Sequence, residues 1–212
     1  MRIEAFNPYV IKILISARKH DSIIGISKRI GLSYGWAYKW ISELIGEGIF
    51  KERWRGLILQ EKNKSYRNII KFLKENSSSA NFYYSVLNLF GIKYCFTKTD
   101  AVFFWVKGGY NVARYRDFYP IFVKIKESDY DDFLYYCKKL GLRINAKTGV
   151  FYSPEISKDF KCQVINNLPV DSLEETIKFM KKNIYNFQPA LEMIEEMYNK
   201  KLRINYKELK TI

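Results

Sequence analysis

Apolar residues recur at helical spacing from the start of the chain. Val10, Ile11, Leu14 and Ile15 follow Asn7 and Pro8, which suit a cap and a first helical turn, so the pattern predicts a helix over 8–18. His20-Asp21-Ser22 break it. Ile23, Ile24, Ile26 and Ile30 predict a short second helix whose core-facing members are Ile26 and Ile30. Gly31 supplies the left-handed backbone of a tight turn, Leu32 plugs it, and Ser33 caps a third helix over 34–46. In that helix Ala37, Ile41, Leu44 and Ile45 share one face, and the small Ala37 marks a close helix–helix approach. Gly46 and Gly48 end it. Phe50-Lys51-Glu52 and Leu57-Ile58-Leu59-Gln60 then read as two strands around a tip, Arg53-Trp54-Arg55-Gly56, with Gly56 as the turn residue.

Residues 63–79 are polar, and Ile69, Ile70, Phe72 and Leu73 predict a connector helix near 65–75. Asn76-Ser77-Ser78-Ser79 marks a domain boundary. The expected organisation is a first domain over 1–62, a helical connector over 63–79 and a second domain over 80–212. In the second domain, 80–90 reads as a helix stopped by Gly91, and 93–97 as a strand. The apolar run 101–107 fits a helix or a strand, and Gly108-Gly109 end it. A strand over 119–126 leads to a helix over 129–140, capped by Ser128, with Asp129, Asp131 and Asp132 at its start and Lys138 and Lys139 at its end, which suits the helix dipole. Strands follow at 142–145, 150–152 and 160–165. Helices over 173–182, capped by Asp171 with Glu174 as its capping partner, and over 189–200 close the chain. This order predicts an α+β class with a small mixed sheet in the C-terminal domain.

Composition changes the picture in one respect. The 212 residues, 48% hydrophobic and 17% aromatic, are enough for a real core, but the formal charge is +14. Such an excess favours anionic partners, nucleic acid first; a lysine-rich solvated surface gives the same total. The excess is denser at the N-terminus, where residues 1–64 hold 12 basic and 6 acidic side chains. No run of about 18 apolar residues offers a membrane span. Glu4 and Pro8 are misplaced for a secretory signal, and Cys95, Cys137 and Cys162 are odd in number and widely spaced, as reduced thiols are. A cytoplasmic protein without membrane attachment is expected.

The segment from Ile26 to Ile30, Gly31-Leu32-Ser33, Ala37, Ile41, Leu44, Gly48-Ile49 and the basic hairpin resembles the winged helix-turn-helix transcriptional regulators, in the manner of the multiple-antibiotic-resistance and arsenic-repressor families. The resemblance covers about a quarter of the chain. It implies that the third helix enters the major groove of double-stranded DNA. Ser33, Tyr34, Gly35, Trp36, Tyr38 and Lys39 are then the groove-facing residues. The tyrosines can bond phosphate or base edges, Gly35 lets backbone approach, and Lys39 can reach phosphate or guanine. Arg53, Trp54 and Arg55 form a wing tip suited to the minor groove or backbone, and Lys28 and Arg29 can clamp phosphates. Trp36, Trp40 and Trp54 are heavy for a groove face and fit a packed interface as well; Trp40 suits a core or subunit contact better than a DNA contact.

A second resemblance covers 87–142. Leu89-Phe90-Gly91-Ile92-Lys93-Tyr94-Cys95-Phe96 and the stretch from Phe133 to Gly141-Leu142 are similar to the frame of the nucleotidyltransferase fold found in toxin–antitoxin pairs. Its Gly-Gly-Ser turn is replaced by Lys98-Thr99-Asp100, and of its metal-binding acidic pair only Asp117 remains. Two carboxylates at adjacent inward positions are what such a site needs to hold two Mg²⁺ ions. The resemblance therefore implies a degenerate, non-catalytic copy, with Asp100 and Asp117 the one pair that could meet in space. The run 169–176 and the tail 204–209 are similar to the ends of type IV abortive-infection antitoxins, which join a winged helix to a C-terminal domain and repress their own operon.

His20 is the only histidine, which leaves a Ser-His-Asp triad or a His-rich metal site little to draw on. Gly108-Gly109 lacks the following Lys-Ser/Thr of a phosphate loop. Phe103, Phe104 and Trp105 read as core, with Lys107, Arg114 and Arg116 as a second basic patch. The sequence thus predicts no enzyme, metal or cofactor. It predicts a regulator that binds double-stranded DNA as a homodimer, with a C-terminal domain that senses, dimerises or binds a protein partner. An antitoxin that also grips a toxin is the alternative, and a metal-dependent nucleotidyltransferase the third reading.

Overall fold

The computed structural model describes residues 7–111, 114, 117–202 and 204. Arg116 and the tail 205–209, both singled out above, lie outside them. The chain is an α+β protein, with two separate sheets among the described residues.

The first part runs α1 (Pro8–Ser16), β1 (His20–Asp21), α2 (Ile23–Ile30), α3 (Tyr34–Gly46), β2 (Phe50–Arg53) and β3 (Gly56–Leu59). Side-chain caps start the helices by satisfying orphan N–H groups: Asn7 accepts from the Tyr9 N–H, Ser22 from Gly25 and Ser33 from Trp36. The strands form an antiparallel sheet in the order β1-β3-β2, with His20 and Lys51 on either side of Ile58. His20 and Asp21 therefore do more than break α1, because they supply the third strand. Gly56 is also not the turn residue. The left-handed position is Arg55 (φ 69°), and Gly56 lies in β3, where an added Cβ would sit 2.7 Å from the Asp21 carbonyl oxygen.

The second part runs α4 (Lys64–Glu75), α5 (Ala80–Val86) with a 3-10 turn at Leu87–Leu89, β4 (Tyr94–Phe96), α6 (Lys98–Trp105), β5 (Phe118–Lys126), α7 (Tyr130–Leu140), β6 (Gly149–Ser157), β7 (Cys162–Ile165), β8 (Leu168–Asp171), α8 (Leu173–Lys182) and α9 (Ile184–Tyr198). The sheet order is β6-β5-β4-β8-β7. β4 is antiparallel to β5 and parallel to β8, β5 is parallel to β6, and β7 is antiparallel to β8. Among the described residues no helix is long and apolar enough to cross a membrane.

One open sequence expectation is decided by the structure and several others need correction. The apolar run 101–107 belongs to helix α6 and the turn after it. Residues 142–145 make no strand, only a bridge from Ile144 to Tyr152. Ser128 does not cap α7; it sits in a 3-10 turn and donates to the Asp129 carboxylate. Asp171 does not cap α8, whose cap is Ser172, accepting from the Glu175 N–H. Asp171 instead ends strand β8, which the local pattern did not announce, and its carboxylate takes Lys124 Nζ at 2.9 Å and the Thr97 hydroxyl. Helix α9 starts at Ile184 and runs through Pro189.

The core is continuous across the boundary placed at 76–79. One buried cluster joins Val10, Ile13 and Leu14 of α1, Ile26 and Ile30 of α2, and Ile41 of α3 to Phe90, Phe133, Tyr136 and Leu140 and on to Tyr152. A smaller cluster packs α6 against α8 and α9 through Val102, Val106, Met180 and Leu191. Gly91 (φ 69°) presses on the end of α2, where a Cβ would lie 2.6 Å from Arg29 O and Ile30 Cα. Lys139 of α7 reaches the C-terminal end of α1 and donates to the carbonyls of Leu14 (2.6 Å), Ile15 (3.1 Å) and Ala17 (2.8 Å). Those are orphan carbonyls at the negative end of a helix. Burial pushes the Lys139 ammonium down to about 7, with Glu61 and Asp21 opposing the shift.

Asp100 is wholly buried and fully partnered. Tyr84 donates to Oδ1 at 2.5 Å, the Phe122 N–H to Oδ2 at 2.7 Å, and Arg114 lies 3.0 Å from Oδ2. Arg114 also holds Tyr84, Tyr119 and Thr99. Burial pushes the Asp100 carboxyl up to about 6, against the pull of Arg114, Tyr84 and the Phe122 N–H. The folded carboxyl keeps its proton up to about pH 6 and the unfolded one loses it near 4, so stability falls as pH rises through that window. Without Arg114 the buried charge has no counterion. Arg114→Met is expected to cost about 3–5 kcal/mol at pH 8 and clearly less at pH 5, where Asp100 is protonated. Urea melts at both pH values check this; an equal loss at both would mean that Asp100 is not the group released.

Candidate nucleic-acid interface

Three elements converge on one side of the N-terminal part. The start of α2, the start of α3 and the β2–β3 hairpin enclose a notch of about 380 Å³, lined by Ser22, Ile23, Ile24, Tyr34, Glu52, Arg53, Arg55, Gly56 and Leu57. It brings Tyr34 to Arg53 and Arg55, which lie 19 and 21 positions further along the chain. Arg53 and Arg55 are exposed and make no ion pair among the described residues. Trp54, at the tip, is 92% exposed, and the Arg55 guanidinium lies over its ring at 4.9 Å.

Ser33 does the capping, so its hydroxyl is committed to the Trp36 N–H. Its backbone neighbours present the free N–H groups and positive end of α3 to solvent. Tyr34 and Tyr38 stack at 6.1 Å on one flank of α3 and are each 52% exposed. The core-facing positions are Ala37, Ile41 and Leu44, while Ile45 is only partly buried. Gly35 is exposed with nothing within 4 Å of where a Cβ would stand, so no internal contact requires glycine there.

The other flank of α3 is aromatic. Trp36 stacks on Tyr9 of α1 at 5.5 Å, and Trp40 continues the stack at 6.4 Å from Tyr9 and 6.5 Å from Trp36. Lys39 lays its ammonium over both indoles, 5.3 Å from Trp36 and 5.0 Å from Trp40. Trp36 keeps 48% exposure, and Trp40 packs on the core with its indole N–H buried and unpartnered. Tyr9 is a member that sequence reasoning missed; an aromatic residue in the first turn of α1 carries no pattern that would have named it. Lys39 thus forms a cation–π lid on an aromatic wall, and a phosphate meeting it there would meet indole faces too.

The two residues assigned to α2 part company. Lys28 is exposed at the end of the helix. Arg29 is half-buried and bonded to Asp21, whose carboxylate also holds the Arg18 and Ser22 N–H groups. Arg29 therefore braces α2 against β1. Its guanidinium is not at liberty to clamp a phosphate, because leaving would strand a buried carboxylate.

Asp100 and Asp117 do not form a comparable site. Asp100 is saturated as described above. Asp117 is exposed just before β5, where its carbonyl accepts from the Gly149 N–H. Among the described residues no three His, Cys, Asp or Glu side chains gather as a metal site would need. No family model, no curated protein and no solved structure matches this chain.

Gly56→Ala and Gly35→Ala are expected to diverge. The first drives a Cβ into the Asp21 carbonyl and should cost about 1–3 kcal/mol, as overpacking does. The second enters open space and should leave thermal stability unchanged or slightly raised. Thermal melts of both variants check the contrast, and a stable Gly56→Ala protein would contradict the close approach of β3 to β1.

Proposed function

We propose that residues 7–60 form a winged helix-turn-helix and that the protein is a sequence-specific double-stranded DNA-binding regulator of transcription. The observation that carries the reading is the notch where the start of α3 and the hairpin arginines meet. A helix start offers N–H groups and a positive dipole end to phosphates, and the two arginines beside it lack carboxylate partners among the described residues. Tyr34, Tyr38 and Gly35 then face base edges, Arg53 and Arg55 the neighbouring backbone or minor groove, and Lys28 the flanking phosphates. Ser33 serves by capping α3, and Trp54 by carrying Arg55.

One such helix covers few base pairs, so two copies reading an inverted repeat is part of the proposal. The C-terminal α+β domain is left to dimerise, to sense a ligand or to hold a protein partner. The full saturation of Asp100 by Tyr84, Phe122 and Arg114 favours this reading over metal-dependent nucleotidyl transfer. No cofactor enters it.

Duplex binding should weaken in Lys39→Ala, and more so when Arg53 and Arg55 are changed together to Ala, with thermal stability nearly intact. Every phosphate left without its cation lowers the slope of log K against log salt by about 0.9, so the double arginine variant should lower it by up to about 2. Titration of fluorescent duplexes, including the gene's own upstream region, at several salt concentrations measures both. Unchanged affinity at low salt in every variant would remove the assigned face.

A further inference from the structure

A second cationic surface lies on α4, outside the face just described. Lys64, Arg67, Lys71 and Lys74 recur at steps of three, four and three residues, which places them along one flank of the helix. With Lys62 they line a shallow groove of about 620 Å³, floored by Tyr66 and Ile70 and edged by Asn68. No carboxylate is among its lining residues. Lys71 alone touches an acid, Glu75 at 3.6 Å on the open surface. Lys62, Lys64, Arg67 and Lys74 make no ion pair among the described residues, and all are exposed.

A row of unpaired cations repels itself along a helix. Here the row stands on a helix whose adjoining face is anchored by Tyr66, Ile70 and Leu73. From Lys64 to Lys74 the flank spans about 15 Å at 1.5 Å per residue. That is the rise of about four base pairs at 3.4 Å each. Asn63, which caps α4, also donates to the Glu47 carbonyl just past α3, so the flank begins where α3 ends. It therefore stands a helix length from the tyrosine-bearing start of α3.

We infer that the α4 groove binds the phosphodiester backbone of duplex DNA flanking the segment that α3 reads. This rests on the DNA-binding reading and extends its footprint. The contact is to phosphate alone: lysines and an arginine without neighbouring acceptors or a base-reading loop carry charge but no sequence information.

The test compares wild type with Lys64→Gln/Arg67→Gln/Lys71→Gln/Lys74→Gln and with the charge-keeping Lys64→Arg/Lys71→Arg/Lys74→Arg, on duplexes of about 15 and about 40 base pairs, one and a half and four helical turns. On the long duplex the Gln variant should show a salt slope lower by about 2–4. Its affinity for specific and scrambled long duplexes should fall by the same factor, while its preference between them holds. On the short duplex it should bind as wild type does. The Arg variant should match wild type throughout, and thermal midpoints should agree, because the changed side chains are exposed. An unchanged slope and affinity on the long duplex would overturn the inference and leave the α3 face standing. Weakening confined to the Gln variant, with Arg53→Ala/Arg55→Ala binding normally, would keep the groove and remove the α3 face. A groove that prefers single strands to duplex in competition would also overturn it, and failure of wild type to bind any duplex would end both readings.

Discussion

The end of α1 is held from outside its own module. Three carbonyls that a helix leaves unsatisfied take the Lys139 ammonium of α7, and the Tyr135 hydroxyl adds a fourth bond at Ala17. The rings of Tyr66 and Tyr135 flank the same ammonium at 5.6 Å. A buried cation is tolerable only where oxygen atoms and π faces replace water, and this seam provides both. Because α1 also packs on α2 and α3, the orientation of α3 and of the hairpin follows from that seam and from Gly91 against α2. Whatever the N-terminal face binds, much of the rest of the described chain shares one buried core with it.

The C-terminal sheet depends on two further buried carboxylates. Asp100 with Arg114 ties α6, β5 and the residues before it together, and Asp171 with Lys124 and Thr97 ties β8 to β5 and β4. Buried ion pairs contribute little net stability but are costly to break. Of the two acidic residues that suggest metal chemistry from sequence, Asp100 is consumed by structure, with both its carboxylate oxygens engaged, and Asp117 stands apart from it on the surface.

Charge organises the remainder. The formal +14 is not spread evenly. Arg29, Arg114 and Lys124 are engaged by internal carboxylates and Lys139 by backbone carbonyls, whereas Arg53, Arg55, Lys28 and most of the α4 flank stand in solvent without carboxylate partners among the described residues. The distinction between paired and unpaired cations is what selects the surfaces proposed to meet DNA; the total charge does not make it.

Local pattern determined much of the N-terminal part by itself. Side-chain caps at Asn7 and Ser33, the Gly31 turn and the 34–46 periodicity are encoded within a few residues of where they act, so α3 emerges with the bounds the sequence implies. Non-local pairing was beyond that reach. β1 exists because β3 passes beside it, and β8 exists because Asn166-Asn167, both left-handed, fold β7 back on it; that pair is a hairpin signal after the expected 160–165 strand, but Leu168–Asp171, four residues with Pro169 among them, carries no strand pattern of its own. Tertiary structure alone decided which charges stay open to solvent. Arg29 and Lys28 are adjacent and chemically alike in sequence, and only the position of Asp21 in space makes one a brace and leaves the other open. Lys39 finds its aromatic bed in Trp36 and Trp40 of its own helix, but only packing brings Tyr9, thirty residues away, onto both indoles, because a side chain's partner is set by packing and not by its own chemistry.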